Sequence, residues 1–96
     1  MMIKHCILWK VKEDKKGSCE IIKNTLEALP AKIGVVRDLE VGLNVNETPR
    51  SYDIILVVHF DNLEDLEIYR VHPAHQEAVK IIRERTTDVV SVDYEV

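Results

Sequence analysis

The sequence predicts an α+β chain in the ferredoxin-like order β-α-β-β-α-β, a four-stranded antiparallel sheet with its helices on one face. Three observations carry this. Of four strand-like runs the first, second and fourth alternate apolar and polar residues with a period of two, and the stretches after the first and third carry apolar residues at helical spacing. The third run is apolar on both faces, so a sheet containing it needs two covers.

Met2 to Val11 is the first strand, with Ile3, His5, Ile7, Trp9 and Val11 on one face and Lys4, Cys6, Leu8 and Lys10 on the other. Lys12 to Gly17 reads as a charged turn. Ser18 then caps a helix carrying Ile21, Ile22, Thr25, Leu26 and Leu29, and Pro30 stops it. Val35 to Val45 is the second strand, in which Gly42 marks a bulge. In the third, Tyr52 to Phe60, the residues Ile54, Leu56, Val58 and Phe60 oppose Ile55 and Val57. Asn62 caps a short helix from Leu63 to Arg70, and Pro73 opens a longer one bearing Ala78, Val79, Ile81 and Ile82. Asp88 to Val96 closes the chain as the fourth strand, with Val90, Val92, Tyr94 and Val96 on one face.

A chain of 96 residues supports one hydrophobic core, so residues 1–96 are expected to form a single domain. Helices cover one sheet face. Nothing in a chain this short is left for the other, which points to a homodimer through the sheet face, the two sheets closing a barrel. A formal net charge of −4 without a Lys/Arg stripe argues against nucleic acid and anionic membranes as partners. The longest apolar run, Ile54 to Val58, is too short to span a bilayer, and no signal-peptide pattern follows Met1, so the expected location is cytoplasmic. Cys6 and Cys19 suggest neither a disulfide framework nor a zinc pattern. No Gly-rich phosphate loop and no Ser-His-Asp order is present, and no cofactor is expected.

Ile3-Lys4-His5, Trp9-Lys10, Leu39-Glu40-Val41-Gly42, Tyr69-Arg70-Val71-His72-Pro73-Ala74-His75 and Val92-Asp93-Tyr94 occur in this order along nearly the whole chain. With these segments the sequence resembles the stress-responsive α/β-barrel (Dabb) domain family. The resemblance implies a dimeric α+β barrel. Many members have no assigned reaction. Plant polyketide cyclases of the family close a linear polyketide by a cofactor-free aldol-type condensation, and their Tyr-x-x-His-Pro-x-His tyrosine and histidine match Tyr69 and His75. Their first-strand histidine matches His5.

The residues support three catalytic candidates. His75 lies in the first turn of a helix, where the macrodipole disfavours imidazolium and keeps a neutral base available. Tyr69, across the His-Pro corner, carries a phenol that stays protonated at neutral pH and can donate to an enolate oxygen. His5 shares a strand face with Ile7 and Trp9, which desolvate it and would become pocket walls if that face looks toward the helices. Ile7, Trp9 and His72 are the candidate substrate-binding residues. His72 precedes Pro73 and is held extended, which shapes the corner. Each has a plainer reading: a packed histidine at a helix start, a tyrosine at the core rim, a core histidine bonded to a carbonyl. His72 and His75 are three apart but lack a third ligand, and no metal site is expected.

Three functions stay open at this point. The first is binding or conversion of a small hydrophobic carbonyl compound by acid/base chemistry at Tyr69 and His75, which requires a cavity. The second is a non-enzymatic, stress-linked structural or interaction dimer with a filled interior. The third, monooxygenase-like chemistry without a cofactor, rests on fold analogy alone.

Overall fold

The computed structural model describes residues 2–96. Its elements are β1 (Ile3–Val11), α1 (Lys15–Glu27), β2 (Asp38–Leu43), β3 (Ile54–Phe60), α2 (Leu63–Val71), α3 (Pro73–Arg83) and β4 (Thr86–Glu95), with one 3-10 turn at Leu29–Ala31. The strands form one antiparallel sheet in the order β2-β3-β1-β4. The order is the ferredoxin-like one that the sequence predicts, its second helical segment broken in two at His72-Pro73.

Pairing fixes which side chains share a face. Ile3, His5, Ile7 and Trp9 of β1 stand opposite Phe60, Val58, Leu56 and Ile54 of β3. Across the other edge His5 meets Asp93, Ile7 meets Ser91 and Trp9 meets Val89. This face looks toward the helices, and Ile22 and Leu26 of α1 with Ala78 and Ile82 of α3 complete the core over it. The opposite face carries Leu8, Ile55, Val57, Val90, Val92 and Tyr94. No helix covers it, so Val92 is 56% and Tyr94 43% exposed. The chain is accordingly a slab of two layers, 17 Å thick in its shortest dimension.

Several local expectations are corrected. Ser18 does not cap α1. Asp14 does so, in the left-handed region at φ 48°, its Oδ1 accepting from the Gly17 N–H at 3.3 Å. A short side-chain acceptor tolerates that backbone, and the charged residues Lys15 and Lys16 are thereby the first helical turn. Ser18 is buried inside the helix and accepts from Arg85 Nη1 at 3.3 Å. The second strand is shorter than predicted, since Val36 and Val45 lie outside Asp38–Leu43 and Val45 is 97% exposed. The fourth strand starts at Thr86, two residues early.

Gly42 makes no bulge, because β2 and β3 pair without interruption from Asp38 to Leu43. The register shift lies between Lys10 and Val11, where β4 passes from Asp88 to Thr86. Gly42 is needed for space instead: a Cβ there would stand 2.9 Å from Ile55 Cγ2, directly across the pair. That methyl sits on a branched Cβ, so it moves away only if the whole side chain changes its χ1 rotamer. Gly42→Ala is expected to lose about 1–2 kcal/mol of stability by overpacking, read as a lower urea midpoint at unchanged slope.

Candidate active site

α2 delivers Tyr69. Asn62 caps the helix, its Oδ1 accepting from the Asp65 N–H at 2.8 Å, and Glu64 and Asp65 in the first turn with Arg70 in the last oppose the helix dipole. Pro73 forces His72 into extended backbone, φ −63° and ψ 136°, which ends α2 and starts α3 at one residue. The His72 ring holds that corner, its Nδ1 accepting from the Ala74 N–H at 3.0 Å. His72 therefore caps a helix, and it is absent from the lining of the cavity described below.

The corner turns His75 back onto Tyr69, with ring centroids 4.4 Å apart. His75 Nδ1 lies 2.9 Å from the carbonyl oxygen of Arg70, one of the carbonyls left without a helical partner at the end of α2. A carbonyl only accepts, so Nδ1 carries the proton and, in the neutral ring, Nε2 keeps its lone pair. Burial lowers the His75 pKa below its ordinary value, with the Arg70 carbonyl pulling weakly the other way. The ring is therefore neutral at pH 7.

A lowered pKa has a sign that can be tested. The unfolded chain binds the proton more readily than the folded one, so stability falls as pH drops through the unfolded histidine value near 6.5 and toward the lower folded value. His75→Gln is expected to flatten melting temperature against pH between about 7 and 5, relative to the parent chain.

Tyr69 is 1% exposed and packs on Phe60, centroids 5.1 Å apart. Among the described residues its hydroxyl is the one buried side-chain polar atom without a hydrogen-bond partner. Burial also raises its pKa far above the ordinary phenol value, so it is a donor and never a phenolate near neutrality. His5, on β1, lies 6.1 Å from the Tyr69 ring and bonds through Nδ1 to Asp93 Oδ1 on β4. The carboxylate accepts, which fixes the tautomer and rotation of His5 as well.

His5, Tyr69 and His75 thus converge, together with Asp93, on one cavity of about 540 Å³ between sheet and helices. Ile7 and Trp9 line it, joined by Leu56 and Ile82. Its size is that of an ordinary small-ligand site. Asp93 is the residue that sequence reasoning missed. The signal was present in the alternation of the last strand, which puts Asp93 opposite Val92 and Tyr94, but its partner depends on strand order and register. His59 lies on the open face, paired with Lys4 and Asp38. Among the described residues no group of three or more His, Cys, Asp or Glu is placed to hold a metal ion, and no helix is long and apolar enough to cross a membrane.

The sequence model of the Stress responsive A/B Barrel Domain matches residues 3–96. The chain belongs to this family. An uncharacterised protein of Streptomyces coelicolor is 33% identical over 97 residues, covering 98% of this chain and 99% of its own. A crystal structure from Bacteroides fragilis, described as a dimeric protein of unknown function with a ferredoxin-like fold, is 42% identical with a TM-score of 0.88, covering 99% of this chain and 96% of that one. A dimeric ferredoxin-like protein of unknown function from Thermobifida fusca is 26% identical, TM-score 0.88, covering 100% and 92%. Both of these structures are thus described as ferredoxin-like dimers of unknown function.

Proposed function

We propose that the protein binds a small hydrophobic carbonyl compound and performs acid/base chemistry on it, with Tyr69 and His75 as the acting pair. The unpaired, buried Tyr69 hydroxyl carries this reading. Burying a polar group without a partner costs about 1–3 kcal/mol, a cost that a ligand oxygen would remove. In the proposed step, His75 Nε2 takes a proton from the carbon next to the carbonyl. The electron pair of the C–H bond moves to the carbonyl oxygen, and Tyr69 donates a hydrogen bond to the resulting enolate. The enolate carbon then attacks a second carbonyl or recovers a proton. The proton returned in either case is the one His75 Nε2 has taken, given back by its imidazolium to the new alkoxide or to the carbon, while His5, held by Asp93, walls the site beside Tyr69.

The reaction is tested without knowing the natural substrate. Alkyl methyl ketones are held with the protein in D2O and loss of the α-proton signals is followed by NMR. Exchange faster than that given by imidazole at equal concentration is expected, with a rate that levels off by pH 7, and His75→Ala should remove it. No acceleration by the parent protein would end the catalytic reading.

We assign the open sheet face to a second copy of the chain. Leu8, Ile55, Val57, Val90, Val92 and Tyr94 make it apolar, and the chain exposes 6144 Å², against about 5,700 Å² for a compact monomer of its mass. The dimeric state of the similar structures supports a second copy as the partner. Under it the cavity, on the opposite face, belongs to each subunit separately.

A further inference from the structure

The cavity is elongated and its two ends differ chemically. Along β1 its lining runs from His5 to Trp9, four residues or about 13 Å. Along α3 it runs from His75 to Arg83, eight residues or about 12 Å, in the same direction. His5, Tyr69 and His75 occupy one end. Arg83, with Thr86 and Val89, occupies the other, and the wall between is Ile7, Leu56, Val79 and Ile82.

Two arginines line the cavity, and they are not equivalent. Arg70 is held by Glu67 through two bonds, Nε to Oε2 at 2.9 Å and Nη2 to Oε1 at 2.6 Å. Arg83 is exposed and, among the described residues, forms no ion pair. A free guanidinium at the rim of an apolar channel is a fork for a carboxylate, which it can bind through two parallel N–H bonds.

We propose that the ligand is an amphiphilic keto acid, whose carbonyl sits between Tyr69 and His75 and whose carboxylate is bound by Arg83. This rests on the carbonyl site proposed above. The apolar spacer is scaled on the backbone rise from His75 to Arg83: an extended chain advances about 1.2 Å per bond, so about 12 Å corresponds to some ten bonds, a length that the reach of the Arg83 side chain adjusts. A ligand of that length fills only part of the volume, leaving room for a bent or branched chain. Arg83 also lies in the last turn of α3, where a cation offsets the helix dipole. That structural role would change melting temperature and would make no distinction between an acid and its ester.

Trp9 is the single tryptophan of the chain and lines the cavity, so its fluorescence reports occupancy. The probes are straight-chain methyl-ketone acids of short, middle and long spacer, each beside its methyl ester, with the middle member setting ketone and carboxylate about ten bonds apart. The middle acid is expected to bind about tenfold tighter than its ester at low salt, a preference that shrinks as salt is raised. Arg83→Gln should erase the preference, leave the ester's affinity alone and keep the melting temperature within a few degrees. Equal affinity of acid and ester, a preference that survives Arg83→Gln, or no binding by any member would each overturn the proposal. Exchange of ketone α-protons, measured on the same probes, separates the two readings. Arg83-dependent binding without exchange removes the chemistry and keeps the acid site, whereas exchange on esters with no preference for acids does the reverse.

Discussion

Tyr69→Phe is expected to yield a more stable protein that no longer accelerates α-proton exchange. The ring stays in the core against Phe60 and His75, so packing is conserved, and only the unpaired hydroxyl is removed. Relief of that desolvation cost is worth about 1 kcal/mol, or about 4–8 °C in melting temperature for a chain of this size. The rate should fall by about a hundredfold to a thousandfold, as for loss of one oxyanion donor. The combination is what discriminates. A structural hydroxyl would lower stability on removal, and a spectator would leave the rate unchanged. Calorimetry and exchange NMR on the same preparation decide between them, and a fall in melting temperature would mean that the hydroxyl has a partner and no vacancy for a substrate oxygen.

Val92→Glu is expected to convert a dimer into a monomer at micromolar concentration. Val92 sits on the open face, paired with Cys6 of β1 and beside Val90 and Tyr94. In an isologous interface each substitution appears twice, so two carboxylates would be buried in it, at a cost of several kcal/mol unless they are protonated. Sedimentation velocity reads the outcome directly. The helix-side cavity is on the other face, and ketone binding followed through Trp9 fluorescence should survive in the monomer. If the parent chain itself sediments as a stable monomer, the sheet-face assignment is lost.

The element order was legible because each signal is local. The alternation of Ile3 to Val11 is a strand in any context, and Pro73 starts a helix whatever lies around it. Misreadings fell where two local rules compete. Asp14 and Ser18 are both good caps, and only the backbone conformation at Asp14 decides between them. Gly42 looks like a bulge from its sequence, yet what it avoids is the Ile55 methyl of a different strand. His72 reads from its sequence as a binding residue, whereas its ring accepts from the Ala74 N–H and stays out of the cavity lining.

At the site, the corner is written locally: Tyr69, a prolyl break and His75 must come close because the chain reverses within a few residues. Strand alternation likewise puts His5, Ile7 and Trp9 on one face. That this face looks at the helices, that His5 reaches the Tyr69 corner, and that Asp93, far away in sequence, meets His5 are set by the packing of the whole chain. The reason is physical. Helix breaks and strand alternation are set by sterics within a few residues, whereas strand order and register are set by the burial of whole faces, a sum over the entire chain that no short segment contains.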